Sequence, residues 1–329
     1  MNIVDIKTEY EKHIEREKEK IELRKNSILL ENPDIKKMQD KINQLDYKRV
    51  QLVLNGLTED IDKITKEIKS IEKLKEKKIK ELDLPKDYLE IKYKCNICKD
   101  KGYIKENGKT IRCKCVTQKL LNERYNNSNL NLDNNETFEN FNLKYYSNEK
   151  GNEEKSPREN MKEIFEISKY FVENFGDKNT KIKNIFFTGK TGLGKTYLSN
   201  AIAKELINKG YTVFYQTAPI MLDELMLSKF NDNEEYYNML NQINTVDLLI
   251  IDDLGSENLT ESKMKELFSI INNRLIKNKS TLISSNMSLK NLNDSYEDRI
   301  FSRIVGNYII KNFYGQDIRI LRKKNKIYE

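Results

Sequence analysis

The sequence has few of the features that mark secreted or membrane-bound proteins. Its 329 residues contain no apolar run that approaches the roughly 18 residues needed to span a membrane. The charged segment Met1 to Arg16 lacks the apolar core of a signal peptide. The single histidine, His13, lies in a charged helical stretch and is interpreted as a surface residue. These absences predict a cytoplasmic protein, in which thiols stay reduced.

Cysteine is also scarce, and all four cysteines lie in one short segment as Cys95-x-x-Cys98 and Cys113-x-Cys115. A reducing compartment disfavours disulfides. Two such short spacings allow adjacent thiolates to coordinate one metal ion tetrahedrally, and Gly102 permits a turn between them. Metal would supply the folding energy of a segment too small for its own core. We therefore predict a structural zinc site. A redox pair or four unrelated thiols are the alternatives, and no further ligand nearby suggests catalytic zinc.

Charge gives weaker information about partners. The 59 basic and 52 acidic residues leave a net charge of +7, which permits contact with nucleic acid. Lysine is abundant along the whole chain, so its count discriminates little. The length suggests two or three domains, and 37% hydrophobic residues suffice for one sizeable core.

The first 90 residues are predicted to be helical. Two narrow apolar stripes with helical spacing are flanked by charged faces, which predicts two antiparallel helices packed on one another. The stripes are Ile35, Met38, Ile42 and Leu45, and then Ile61, Ile64, Ile68, Ile71 and Leu74. Pro33 separates an earlier helical piece, and Pro85 ends the last helix. A coiled-coil spacer and a partner-docking hairpin both remain open.

Composition divides the rest of the chain into three parts. The cysteine module covers 91–121, an Asn-, Glu- and Ser-rich linker covers 122–158, and an α/β domain covers 159–329. Within the linker, Phe138 and Phe141 form an aromatic pair that suits either an anchor on the next domain or a ledge for a purine base. From Asn160 onward strand and helix patterns alternate, which predicts a parallel sheet with helices on both faces.

The main motif of the α/β domain is G-x-x-x-x-G-K-T, between a strand-like run and a helix-like run. This order brings backbone N–H groups and a helix N-terminus to the phosphates of a nucleotide. The Lys195 ammonium is expected to reach the β- and γ-phosphates, and the Thr196 hydroxyl to bind Mg²⁺. The predicted phosphate-binding residues are Gly189, Lys190, Thr191, Gly192, Leu193, Gly194, Lys195 and Thr196.

A second motif follows about sixty residues later. The apolar run Val246 to Ile251 ends in Asp252-Asp253, which is typical of a Walker B strand beside a P-loop. We expect Asp252 to hold Mg²⁺ and Asp253 to orient or deprotonate the attacking water. An acidic turn after an ordinary strand is the alternative.

Further segments resemble the AAA+ ATPases of the DnaC/DnaI helicase-loader and IstB group. They are Leu248–Gly255, Ser284–Ser288, Asp298–Ile304 and Tyr314–Arg319, so that the resemblance runs from about Thr137 onward. It implies an AAA+ P-loop fold whose parallel sheet is sandwiched by helices. Only ten residues follow Arg319, so no C-terminal lid domain is expected. The cysteine cluster and leading helices also look like the N-terminal part of Firmicute-type loaders.

The resemblance implies additional site residues. Asn286 would act as sensor 1 beside the γ-phosphate, and Arg319 as sensor 2. Arg303 would be the arginine finger that reaches a neighbouring subunit, with Arg299 as the alternative finger or a second contact. Asp253 is one methylene shorter than the glutamate that is commoner in AAA+ proteins, so the attacking water must be placed differently.

The predicted function is an ATP-dependent loader of the replicative DnaB-type helicase onto single-stranded DNA, in replication initiation or restart. The N-terminal region would dock on the helicase, while the core binds ATP, self-associates and hydrolyses ATP as a switch. In the segment Thr217 to Asn241, Lys229, Tyr236 and Tyr237 suit DNA contact, although core packing and acidic neighbours favour a structural role. The alternatives are an IstB-like transposition helper and a nucleotide-gated DNA-binding adaptor.

Overall fold

The computed structural model describes residues 3–55, 61–82, 84–85, 87–106, 108–124 and 135–321. Its contacts divide the chain into two units, residues 4–102 and residues 103 onward together with the first three residues. Part of the predicted linker, 125–134, lies outside the described residues, as does Gly56, which lies between the two apolar stripes. In the part of the chain that the structure describes, no helix combines the length and apolarity needed to cross a bilayer.

Three helices build the N-terminal unit: α1 (Ile3–Glu31), α2 (Pro33–Leu54) and α3 (Ile61–Glu81). Helices α2 and α3 pack through Ile42, Ile64 and Ile68, members of the two predicted stripes. Pro33 occupies the first turn of α2, where its missing N–H costs no helical hydrogen bond. The predicted helical N-terminal region is therefore confirmed.

Helix α1 packs against the segment 87–94 within the same unit. The Arg24 guanidinium donates to the Tyr88 carbonyl at 2.9 Å and lies 5.2 Å above the Tyr88 ring. His13 Nε2 lies 2.9 Å from the Lys92 carbonyl oxygen, and the His13 side chain is only 23% exposed. His13 is thus a partly exposed residue with a contact to Lys92, which lies about eighty residues away and leaves no local sequence signal.

Residues 103–124 form a short hairpin and a helix. Strands β1 (Tyr103–Glu106) and β2 (Lys109–Arg112) pair antiparallel, and α4 (Lys114–Arg124) follows. The Gln118 side chain donates to the Val213 carbonyl at 2.8 Å and accepts from the Val213 N–H at 2.7 Å. Lys114 forms an ion pair with Asp247 at 2.8 Å. These hydrogen bonds and this ion pair hold helix α4 against the α/β core.

The α/β core has a five-stranded, fully parallel sheet in the order β4-β5-β6-β3-β7. The strands are β3 (Ile185–Gly189), β4 (Val213–Thr217), β5 (Leu248–Leu254), β6 (Ser280–Ser285) and β7 (Ile309–Phe313). The helices are α5 (Pro157–Glu173), α6 (Lys195–Asn208), α7 (Ala218–Asn231), α8 (Asn233–Thr245), α9 (Glu261–Ile276), α10 (Leu289–Ser295) and α11 (Asp298–Asn307). The predicted α/β architecture is confirmed, with α10 as a helix that the sequence patterns did not indicate.

Both faces of the sheet are buried, which explains why its strands are continuous apolar runs. Phe186 points to one apolar layer, shared with α7, α8, α9 and α11, whereas Phe187 points to the other, shared with α5 and α6. Because all five strands are parallel, their carboxyl ends meet at one edge of the sheet. That edge carries Gly189, Thr217, Asp252 and Ser285.

Candidate functional site

The P-loop connects the end of β3 to the start of α6. Gly189 has a φ of 135°, and a Cβ at this position would lie 2.1 Å from the Phe313 carbonyl oxygen of the neighbouring strand β7. Gly192 has a φ of 76°. Only glycine adopts these positive φ values readily. The glycines of the motif therefore permit the tight turn that leads from β3 into the N-terminus of α6, where backbone amides can bind phosphate.

Lys195 is folded back onto the P-loop. Its ammonium donates to the Gly189 carbonyl at 2.6 Å and to the Lys190 carbonyl at 2.9 Å, and the residue is 5% exposed. Burial lowers the pKa of Lys195, an effect opposed by the charges of Asp253 and Asp252. A buried ammonium with only backbone carbonyls as hydrogen-bond acceptors is suited to a phosphate anion.

Asp252 lies at the carboxyl end of β5 and is fully buried. The Tyr215 hydroxyl donates to its Oδ2 at 2.9 Å, the Thr196 hydroxyl donates to the same oxygen at 3.1 Å, and the Ser284 hydroxyl donates to Oδ1. Burial, followed by the charge of Asp252 and this hydrogen bond, raises the pKa of Tyr215 well above its usual value. A carboxylate and a hydroxyl in contact at the P-loop form a donor set that fits Mg²⁺.

Tyr215 and Ser284 are site residues that sequence reasoning missed. Tyr215 lies on β4 and Ser284 on β6, the two strands that flank β5 in the sheet. Neither residue belongs to a contiguous motif with Asp252, so only the strand order and register bring them together.

Asp253 follows in a strained conformation with a φ of 54°, which is uncommon for a residue with a side chain. Its N–H donates to the Ser284 hydroxyl oxygen at 3.2 Å, and the pairing of β5 with β6 is irregular between Ile251 and Leu254. Burial raises the pKa of Asp253, and the neighbouring Asp252 charge adds to the effect, against the charges of Lys195 and Arg319. A carboxylate with a raised pKa suits proton uptake from water.

A cavity of about 270 Å³ opens beside these residues. Its lining residues are Glu136, Phe141, Asn142, Tyr145, Tyr146, Thr191, Gly192, Leu193, Gly194, Lys195, Thr196, Tyr197, Asp253, Ile318 and Arg319. The Tyr146 hydroxyl donates to the Leu193 carbonyl at 3.0 Å, so the aromatic segment is tied to the P-loop. The cavity thus combines a phosphate-binding loop with aromatic side chains.

Phe138 and Phe141, the aromatic pair of the predicted linker, lie in different surroundings. Phe138 is buried in the core, where its ring and the Phe165 ring are nearly perpendicular with centroids 5.6 Å apart. Phe141 stacks on Phe165 at 5.0 Å and also lines the cavity. Phe138 is therefore an anchor, while Phe141 is placed beside the space available to a base.

The segment after β7 closes one side of the cavity. The Ile318 N–H donates to the Gly192 carbonyl at 2.9 Å, and Arg319 lines the cavity. The Asp317 side chain packs so closely on Gly192 that a Cβ at Gly192 would lie 2.2 Å from it. The position of Arg319 is compatible with its expected contact with a nucleotide phosphate.

The remaining expected site residues do not line this cavity. Asn286 is exposed just beyond β6. Arg299 pairs with Glu297 and lies 4.5 Å above the Phe268 ring. The exposed Arg303 donates to the Asn272 side chain at 3.1 Å.

The four cysteines converge as expected. The Sγ atoms of Cys95, Cys98, Cys113 and Cys115 all lie within 4.8 Å of one another. The Gly102 N–H donates to the Cys98 sulfur at 3.3 Å, a contact that favours a thiolate. Four clustered sulfur ligands fit the tetrahedral coordination of structural zinc.

The segment between β4 and β5 is organised largely by internal contacts. Tyr236 is buried and its hydroxyl donates to Glu266 at 2.9 Å, while Lys229 donates to the same carboxylate at 2.6 Å. Leu222 and Leu225 belong to the core, as the structural alternative expects. Of the three residues considered for DNA contact, Tyr237 is the most exposed, at 66%.

Comparison with known proteins finds a family model and curated relatives that are similar to part of this chain. Residues 171–314 match the family described as IstB-like ATP binding protein. A replicative helicase loader DnaC of Buchnera aphidicola is 28% identical over 178 residues, which cover 52% of this chain and 70% of that protein. The resemblance to the helicase-loader and IstB-like AAA+ ATPases is confirmed.

A further curated protein and a solved structure are also similar to this chain. The phage-like element PBSX protein XkdC of Bacillus subtilis is 26% identical over 221 residues, covering 64% of this chain and 78% of that protein. A crystal structure of the DnaC helicase loader aligns with 23% identity and a TM-score of 0.43, over 54% of this chain and 98% of that one. The matched family is described as ATP-binding, and the P-loop geometry of this chain agrees with that description.

Proposed function

We propose that this chain is an ATP-driven loader of a replicative DnaB-type helicase onto single-stranded DNA, acting in replication initiation or restart. The observation that carries the proposal is the set of Lys195, Thr196 and Asp252 at the P-loop, in a chain that also holds a helical N-terminal unit. The kinship with a protein named replicative helicase loader supports this function.

ATP binding would use the amides of the P-loop and the Lys195 ammonium. On binding, we expect the ammonium to exchange the Gly189 and Lys190 carbonyls for phosphate oxygens, which form stronger charge-assisted hydrogen bonds. Thr196 and Asp252 would hold Mg²⁺, which neutralises phosphate charge. Phe141 and its aromatic neighbours would pack against the base.

Hydrolysis would rely on Asp253 to orient water and accept a proton. The half-buried carboxylate lines the cavity beside the P-loop, and its raised pKa makes it a better proton acceptor than an exposed aspartate. The strained backbone at Asp253 would hold this side chain at a fixed angle to the Asp252 carboxylate.

Arg303 would complete the site of a neighbouring subunit. It is exposed on α11 and does not line the cavity of its own chain, so it would act in a second copy. A guanidinium at the γ-phosphate stabilises the charge of the transition state. Asn286 would report on the γ-phosphate from the end of β6, and Arg319 would contact phosphate from within the same chain.

The N-terminal unit would dock on the helicase, with zinc bound by the four cysteines as a structural element. ATP binding and hydrolysis would then switch the complex between a helicase-bound state and a released state. The core would contact single-stranded DNA through exposed residues such as Tyr237.

The second candidate is a transposition helper that acts on target DNA. The match to the IstB-like family favours it, since both groups share the same ATPase core. The helical N-terminal unit and the cysteine cluster favour the loader, because they suit docking on a protein partner.

Co-purification of the full chain with the replicative helicase of the same cell tests the proposal. We expect a complex whose amount depends on ATP, and loss of that dependence in Lys195→Ala. Helicase that never co-purifies, combined with ATP-dependent binding to a transposase, would replace the loader by the transposition helper. If both partners fail to bind while nucleotide still controls DNA binding, the chain is instead a DNA-binding adaptor.

A further inference from the structure

We propose that Glu136 is an additional residue of the nucleotide site, where its carboxylate holds water molecules of the divalent cation that accompanies the nucleotide. Glu136 precedes the expected ATPase domain and lies outside the matched family region 171–314. The inference rests on the proposed nucleotide binding and names a residue that this function does not by itself require.

Glu136 has an unusual position for an acidic residue. It lines the same cavity as Thr196, Lys195 and Arg319, whose donors suit anionic phosphate groups. A carboxylate facing a triphosphate is repelled by it unless a cation lies between the two. The presence of Glu136 in this cavity therefore points to a positively charged occupant.

The P-loop helix α6 holds Glu136 in place. The Tyr197 hydroxyl lies 3.0 Å from the Thr137 carbonyl and 3.3 Å from the Asn135 carbonyl, so it fixes the backbone on both sides of Glu136. The Asn200 amide donates to Glu136 Oε2 at 2.6 Å. Asn200 is only 2% exposed, so this hydrogen bond is formed in a buried environment.

Helix geometry places Asn200 on the face of α6 that carries Thr196, a candidate Mg²⁺ ligand. Asn200 lies four residues after Thr196, so the two side chains project from the same face of α6. Thr196 contacts Asp252, which is also bonded by the Tyr215 hydroxyl.

Glu136 does not share a group of close metal-ligating side chains with the two aspartates. Among the described residues, the cysteines form the one group of three or more metal-ligating side chains close enough to share an ion. Glu136 therefore does not join Asp252 and Asp253 in one direct ligand set. Mg²⁺ retains several waters in proteins, and a nearby carboxylate accepts hydrogen bonds from them. Loss of such an outer partner typically weakens metal affinity by about 10- to 100-fold.

Glu136→Gln tests this role, with Glu139→Gln as the matched control. Glu139 is exposed, lies three residues away and does not line the nucleotide cavity. Binding of a fluorescent ADP analogue to the full chain is measured while Mg²⁺ is titrated, and again in EDTA. We expect Glu136→Gln to raise the Mg²⁺ midpoint by about tenfold or more without weakening binding in EDTA. Glu139→Gln should match the wild type.

Two results overturn the inference. One is an unchanged Mg²⁺ midpoint in Glu136→Gln. The other is an equal loss of affinity with and without Mg²⁺, which would place Glu136 on the ribose or the base. If Glu136→Gln does not fold, Asn200→Ala is tested instead. This variant removes the hydrogen bond to the Glu136 carboxylate and should raise the Mg²⁺ midpoint by a smaller factor than Glu136→Gln would. A wild-type chain that binds no nucleotide at all would refute the proposed function itself.

Discussion

The Tyr215 hydroxyl donates a hydrogen bond to the buried Asp252 carboxylate at 2.9 Å. Two residues earlier on the same strand, the Val213 backbone is paired with Gln118 of α4, the helix that begins at the last cysteines. Strand β4 therefore contacts the candidate magnesium ligand through Tyr215 and α4 through Val213. This arrangement makes β4 part of the site, although it carries no nucleotide-binding motif.

Tyr215→Phe should weaken Mg²⁺-dependent nucleotide binding. Without the hydroxyl, Asp252 loses the donor that fixes its Oδ2, so we expect the Mg²⁺ midpoint to rise by about tenfold. Fluorescent nucleotide binding against Mg²⁺ concentration measures the effect. Tyr211→Phe serves as the control, since its hydroxyl donates to the Phe175 carbonyl away from the cavity. Equal midpoints for both variants would show that Asp252 does not need this donor.

Asp253→Asn should lower ATP hydrolysis by at least about 100-fold while nucleotide binding is retained, since an amide cannot accept the proton. Because burial and the Asp252 charge raise the pKa of Asp253, hydrolysis in the wild type should fall with decreasing pH through a value above the usual aspartate range. Steady-state phosphate release against pH measures both effects. The exposed Asp294→Asn is the control, and near-normal turnover in Asp253→Asn would reject Asp253 as the base.

Arg303→Ala should abolish hydrolysis without affecting ATP binding, with a loss on the order of 1,000-fold for an arginine finger. Mixing Arg303→Ala with Lys195→Ala should restore part of the activity, because the second variant supplies the missing arginine to the intact P-loop of the first. Arg299→Ala should cost less, since this side chain is engaged by Glu297 and Phe268. If Arg299→Ala abolishes ATP hydrolysis and Arg303→Ala does not, Arg299 is the arginine finger.

Removal of the metal should unfold the cysteine cluster. We expect about one zinc ion per chain, and none after Cys113→Ser, because Cys113 is a buried member of the four-sulfur group. Elemental analysis and the rate of thiol modification before and after chelation measure this. Four thiols that react at once in a metal-free, fully folded chain would rule the zinc site out.

Asp247→Asn should destabilise the core at neutral pH. Burial would raise the pKa of Asp247, but Lys114, the Thr212 N–H and Lys279 lower it to about 2. A lowered folded-state pKa stabilises the fold above the unfolded value and loses this effect as pH falls toward about 2. The shift corresponds to about 2 kcal/mol at pH 7.

Urea unfolding of the wild type and of Asp247→Asn at pH 7 and at pH 3 measures this contribution. The difference between the two proteins should shrink at pH 3. Lys114→Gln, which removes one of the three partners, should cost less than Asp247→Asn at pH 7. A difference that stays constant with pH would assign the effect to packing instead of charge.

The P-loop and Asp252-Asp253 could be found in the sequence because their chemistry depends on contiguous residues. A glycine-rich turn needs its strand and its helix directly beside it, and the paired aspartates follow their strand at once. The cysteine cluster was equally accessible, since two short spacings determine which sulfurs can share an ion. The apolar stripes of α2 and α3 likewise report a local helical period.

Tyr215, Ser284 and Glu136 could not be predicted in the same way. Tyr215 and Ser284 reach Asp252 because β4 and β6 flank β5, and Glu136 reaches the cavity because Tyr197 and Asn200 hold a segment some sixty residues earlier. The contact of His13 with Lys92 could not be predicted either, because the two residues are distant in sequence.

By itself, the sequence determined the helical N-terminal region, the cysteine cluster, the parallel α/β core and the residues that suit phosphate and Mg²⁺. Each of these depends on local spacing, on strand and helix periodicity or on a resemblance carried by short motifs. Only the tertiary structure decided which hydroxyls hold Asp252, where Arg319 lies and that an acidic side chain enters the nucleotide cavity. Those contacts join distant segments, and their geometry is set by strand order and packing that no single stretch of residues encodes.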